Sequence, residues 1–66
     1  MNLHDTFIVE SRKAHPPRWA FLSVLGAISA IENDIPAAVS TALDVLDHAS
    51  LEESYPVTTR MLLTLR

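Results

Sequence analysis

The sequence predicts an all-α fold: a central helical hairpin from Pro17 to Ala49, a short N-terminal element before it and a C-terminal helix after it, assembled as a homodimeric helical bundle. Three observations carry this reading. Apolar residues recur at helical spacing through the middle of the chain, and prolines stand where first helical turns begin. The composition, with one glycine, 48% hydrophobic and 20% charged residues, belongs to a chain that packs and not to a linker.

The first fifteen residues read two ways. Leu3, Phe7 and Ile8 line one face of a short helix started by Asn2, whereas the cluster Thr6-Phe7-Ile8-Val9-Glu10 suits a short strand. Pro16 and Pro17 end either element, because the residue before a proline avoids the α region.

The clearest helix runs from Arg18 to Glu32. Pro17 suits its first turn, where a missing N–H costs nothing. Phe21, Val24, Leu25, Ile28 and Ile31 form a bulky stripe, and Ala20, Ser23, Ala27 and Ala30 form a stripe of small residues beside it, close to Gly26. Such a helix must be surrounded, and a short chain has few elements to do so. Ala20, Ser23, Ala27 and Ala30 are therefore the expected dimer interface.

Asn33-Asp34 makes the next turn, with Asn33 suited to a left-handed helix end and Asp34 to capping the following helix. Pro36 again falls in a first turn. Ile35, Ala38, Val39, Ala42, Leu43, Leu46 and Ala49 form the apolar face of that helix, opposite Ser40, Asp44 and Asp47. Ser50-Leu51-Glu52-Glu53 then has capping-box spacing. Ser54-Tyr55-Pro56 repeats the order of Asp34-Ile35-Pro36, which predicts a third helix over Tyr55 to Leu65. The competing pattern there is a strand, since Val57, Thr59, Met61, Leu63 and Leu65 alternate with more polar residues.

Size sharpens the oligomer expectation. Chains of this length make one domain, residues 1–66, and bury only about 60% of the surface their unfolded state exposes, so small domains lean on disulfides, metals or partners. The 66 residues contain no cysteine, which removes disulfides and suits a cytoplasmic location. Three scattered histidines make a poor zinc set. The uncharged run from Trp19 to Ile31 is shorter than the roughly 17 to 25 residues a bilayer requires, so no membrane partner is expected. Preceded by Arg12, Lys13 and Arg18, that run has the order of a signal peptide, but cleavage after it would leave too little chain to fold alone.

Few chemical constellations stand out. There is no cysteine nucleophile, no Gly-rich phosphate loop and no G-x-S-x-G or H-E-x-x-H motif. Asp44 and His48 share a helix face at i and i+4, a spacing usable by a metal or an acid–base pair but usual on a solvated face, where a histidine near a helix C-terminus is favourable. No catalytic residue, metal site or cofactor is expected, and the chain reads as a non-enzyme.

Nucleic acid is the second partner to weigh. Ile28 to Leu43 has the spacing of a helix-turn-helix, and a strand at residues 6 to 10 before two helices is the order of a ribbon-helix-helix dimer. The reading positions are poorly furnished. Pro36, Ala37, Ala38, Ser40 and Thr41 lack the bidentate Arg or Asn contacts that select bases, and Thr6, Ile8 and Glu10 are no better. The formal net charge of −3 also opposes phosphate binding. Protein binding is the leading expectation, by a small regulator, inhibitor or adaptor of the kind phages and plasmids encode, with Arg18, Trp19, Tyr55 and Arg60 as the contacts because Arg and large aromatics dominate interface energetics.

Overall fold

Asn2 decides the first element. Its side chain accepts the Asp5 N–H at 2.8 Å and so caps a helix, α1 (Leu3–Ala14), across the residues that also suited a strand. α1 ends where His15 turns into the left-handed region ahead of Pro16 and Pro17. In this computed structural model, which describes residues 2–66, three further helices follow: α2 (Arg18–Ser29), α3 (Ile35–His48) and α4 (Pro56–Leu65). Single 3-10 turns at Ala30–Glu32 and Glu52–Ser54 complete an all-helical fold with no strand among the described residues.

The joints differ in detail from the sequence expectation. Pro17 is the N-cap of α2 and not its first helical residue. Asn33 stays right-handed, because the 3-10 turn tightens the chain before Asp34. Asp34 caps α3 as expected, accepting the Ala37 N–H at 3.2 Å. Ser50 does not open a capping box. It adopts φ 57° just past α3, and the Leu51 and Ser50 N–H groups donate back to the carbonyls of Leu46 and Asp47, a Schellman ending built on serine.

α2 packs most extensively on α3, α4 lies against α1 and α3, and α1 touches both α2 and α4. The helices thus form a ring in which α2 and α4 face each other across the bundle. The core comprises Phe7 from α1, Val24, Ala27 and Ile28 from α2, Val39, Ala42 and Leu46 from α3, and Tyr55 and Leu62 from the last segment. Phe7 stacks between Phe21 and Tyr55, with ring centroids 5.4 and 5.3 Å away.

The chain closes this core by itself. Its surface of 4296 Å² matches the roughly 4,200 Å² of a free monomer of this mass, and its radius of gyration of 10.3 Å matches the expected value of about 11 Å. α1 and α3 cover the inner sides of α2, so the bundle completes its interior without a second copy.

α4 is held in a way that only the tertiary structure reveals. No side chain next to Pro56 caps it. Instead the Glu10 carboxylate, reaching over from α1, accepts the Val57 N–H at 3.1 Å, the Thr58 N–H at 2.7 Å and the Thr58 hydroxyl at 2.6 Å. An anion placed on the free N–H groups of a helix start is favourable both as an acceptor and against the helix dipole.

Candidate functional site

Each expected contact residue now has a place. Arg18 and Trp19 lie exposed at the start of α2, and Trp19, half-exposed at 50%, rests edge-on against the His48 ring of α3 at 5.9 Å. Arg60 is exposed on α4, across the bundle from them. Tyr55 is corrected: it is 0% exposed, its ring lies in the aromatic stack, and its hydroxyl is 2.8 Å from that of Ser11 in a buried pair. Burial raises the Tyr55 pKa above its ordinary value, with the Ser11 bond pulling the other way. Tyr55 is a pillar of the core and offers nothing to a partner.

The small-residue stripe is corrected in the same way. Ala20 and Ala27 are buried inside the chain, whereas Ser23 and Ala30 are exposed. The outward face of α2 is rotated from the expected one and carries Trp19, Leu22, Ser23, Gly26, Ser29 and Ala30, all exposed and within an arc of roughly 120° centred on Gly26. Leu22 is 51% exposed.

Gly26 is the unusual member of this face. A mid-helix glycine costs about 1 kcal/mol relative to alanine. The usual reasons for keeping one are missing, since its φ is not positive and a Cβ built on it would meet nothing within 4 Å. The two exposed serines turn their hydroxyls back on their own helix, Ser23 donating to the Trp19 carbonyl at 2.7 Å and Ser29 to that of Leu25 at 3.1 Å. The face is therefore uncharged, and its serine hydroxyls already have partners within the helix.

The outward face of α4 has a different character. Val57 and Leu63, 46% and 51% exposed, flank Arg60 at its centre. Beside it runs an apolar groove of about 390 Å³ lined by Leu3, Arg60, Met61, Thr64 and Leu65.

Charge gathers at two corners. Arg12, His15 and Arg18 edge a shallow concavity between α1 and α2. Asp47, Ser50, Glu52 and Glu53 edge another after α3. There the neighbouring Asp47 carboxyl, by hydrogen bonding first and by charge second, raises the Glu52 pKa above its ordinary value. A carboxyl raised by folding lowers stability when ionised, so this corner stabilises the fold as pH falls through the raised pKa towards the unfolded one.

Asp44 and His48 are both exposed. Among the described residues no three His, Asp or Glu side chains stand together to hold a metal ion, and the one close contact between basic and acidic side chains is His4 Nδ1 with Asp5 at 3.5 Å, on the surface. The nucleic-acid readings fare unevenly. Residues 6 to 10 are helical, so the strand of a ribbon-helix-helix arrangement does not form. The α2–α3 turn exposes Pro36, Ala37, Ser40 and Thr41, while Ala38 points into the core.

Two features escaped the sequence reading. Glu10 had no local signal as a cap, since its partners lie 47 and 48 residues away. The α2 face did have one, a lone glycine inside an otherwise strong helix. No family model matches the chain, and no curated protein or solved structure proved similar to it. No helix among the described residues is long and apolar enough to cross a membrane.

Proposed function

We propose that the chain is a non-enzymatic protein-binding module, a small regulator, inhibitor or adaptor that acts by occupying a surface of another protein and works as a homodimer. The observation that carries this reading is the pair of outward faces on opposite sides of a closed bundle. One is Trp19 and Leu22 on α2, the other Val57, Arg60 and Leu63 on α4. Exposed aliphatic and aromatic side chains scattered singly are ordinary, but grouped on one helix face they mark contact surfaces. On α4, Arg60 is of a residue type enriched at interface hot spots, and the exposed Val57 and Leu63 beside it add apolar area to the same face. The α4 face is thus read as the partner surface and the α2 face as the self-contact.

The test is capture from the native lysate, with and without nuclease, by the tagged chain and by its Arg60→Ala/Leu63→Ala variant. Both substitutions are on the surface, so the circular-dichroism spectrum of the variant should match wild type. A protein retained in stoichiometric amount after nuclease and lost with the variant is the expected result. Recovery of nucleic acid, or of proteins that vanish with nuclease, would contradict it and favour a DNA-binding regulator using the α2–α3 turn.

A further inference from the structure

We propose that two copies pair antiparallel through the outward faces of α2, with Gly26 of each copy meeting on the two-fold axis. The inference rests on the homodimer reading above and names the surface, direction and register that such a dimer uses.

Four observations converge on a second copy of this chain as the occupant. The first is Gly26, which no contact or backbone torsion within the chain requires. A glycine in the middle of an exposed helix face costs the helix stability and leaves room for close approach from outside. The second is the pairing of Ser23 and Ser29 hydroxyls with their own backbone, which lets another helix approach without stranding a polar group.

The third is size complementarity within one face. Trp19 and Leu22 make its first half large, while Ser29 and Ala30 make its second half small, with Gly26 between. An isologous contact matches residue i with j and j with i. About a two-fold axis at Gly26 the antiparallel partner sets Trp19 opposite Asn33, Leu22 opposite Ala30 and Ser23 opposite Ser29. Leu22 then meets a small side chain and Trp19 meets the turn that follows the partner's helix, and Gly26 allows the helix axes to approach at the near end of the usual packing range of about 8 to 10 Å. A parallel pair would set Trp19 against Trp19 and leave the small half empty.

The fourth is charge. Arg18, at the start of the face, and Glu32, just past its end, are both exposed and without an ion-pair partner among the described residues. The antiparallel arrangement brings Arg18 of each copy near Glu32 of the other, twice by symmetry. The parallel one would bring like charges together. Opposed helix dipoles favour the same direction.

The test is sedimentation velocity of the full chain over a concentration series, with three kinds of variant. Gly26→Glu sets two carboxylates against each other on the axis, on a position with open space around it in the monomer, and should leave a monomer with an intact helical spectrum. Arg18→Glu and Glu32→Arg should each weaken the dimer by about tenfold, because each loses two symmetric pairs and gains repulsion. The double variant Arg18→Glu/Glu32→Arg restores both pairs with the signs exchanged and should return to within about threefold of wild type. If Gly26→Glu proves unfolded, the charge exchange carries the test alone. A dimer indifferent to all these changes would overturn the inference while leaving the homodimer reading in place. A wild-type chain that stays monomeric to millimolar concentration would overturn both.

Discussion

Between α2 and α3 the chain turns within five residues, and Asp34 supplies the cap of the second helix from the adjoining position. Between α1 and α4, at the far side of the bundle, almost every stabilising contact joins residues more than forty positions apart. Glu10 caps α4, and the Ser11 and Tyr55 hydroxyls meet at 2.8 Å. The two regions also differ in what they leave outside. The inner positions of the α1–α4 seam are filled by its own polar and aromatic contacts, whereas α2 keeps its inner residues for the core and turns an uncharged, glycine-bearing face to solvent. On α2 and α4 alike, fold-defining side chains such as Val24, Ile28 and Leu62 face inward while Leu22, Arg60 and Leu63 are exposed, so the two sets are separated by face and one can be altered without the other.

That separation breaks most visibly at Tyr55. Tyr55→Ala removes a fully buried ring from the stack with Phe7 and should cost about 3 to 5 kcal/mol, enough to unfold a domain of this size. Tyr55→Phe keeps the ring and strands only the Ser11 hydroxyl, for a loss of about 1 kcal/mol by urea unfolding. Next comes Glu10→Ala, which leaves the Val57 and Thr58 N–H groups and the Thr58 hydroxyl without their acceptor. A loss of about 2 to 3 kcal/mol is expected, with amide exchange quickening first at the start of α4.

Two substitutions should strengthen the framework. Thr6 is only 3% exposed and its hydroxyl has no partner. Thr6→Val keeps the shape, removes the unpaired group and should gain about 1 kcal/mol. Ser50 holds a left-handed conformation that glycine adopts without strain, so Ser50→Gly should gain up to about 1 kcal/mol, seen as a higher Tm. The smallest effect belongs to the other region. Leu22→Ser, on the outward face of α2, should change the stability of the isolated chain by no more than about 0.5 kcal/mol while weakening whatever that face binds.

The same contrast explains what the sequence made legible. The hairpin was readable because its signals are local: Asp34 before Ile35-Pro36, apolar residues at helical spacing, and prolines at entry points. α1 stayed ambiguous because Thr6, Ile8 and Val9 favour strands as residues, and the Asn2 cap together with packing of Phe7 and Ser11 against the Tyr55 segment overrides them. α4 was ambiguous because its cap is supplied by Glu10 from a distant helix. Tyr55 and Arg60 looked alike as contact candidates, since composition alone does not say which side chain the fold closes over. The small-residue stripe of α2 was placed about a quarter-turn too far towards the interior, because α1 and α3 both cover that side. The clue to the exposed face was Gly26, whose cost to the helix is visible in the sequence but whose open surroundings are visible only in the fold.

The most direct test of this division is a dilution series followed in the amide spectrum of the 15N-labelled chain. Resonances of Trp19, Leu22, Ser23, Gly26, Ser29 and Ala30 should move with concentration while those of Glu10, Ser11, Thr58 and Leu62 stay fixed. Shifts confined to α1 and α4, or no shift on the α2 face at any concentration, would contradict it.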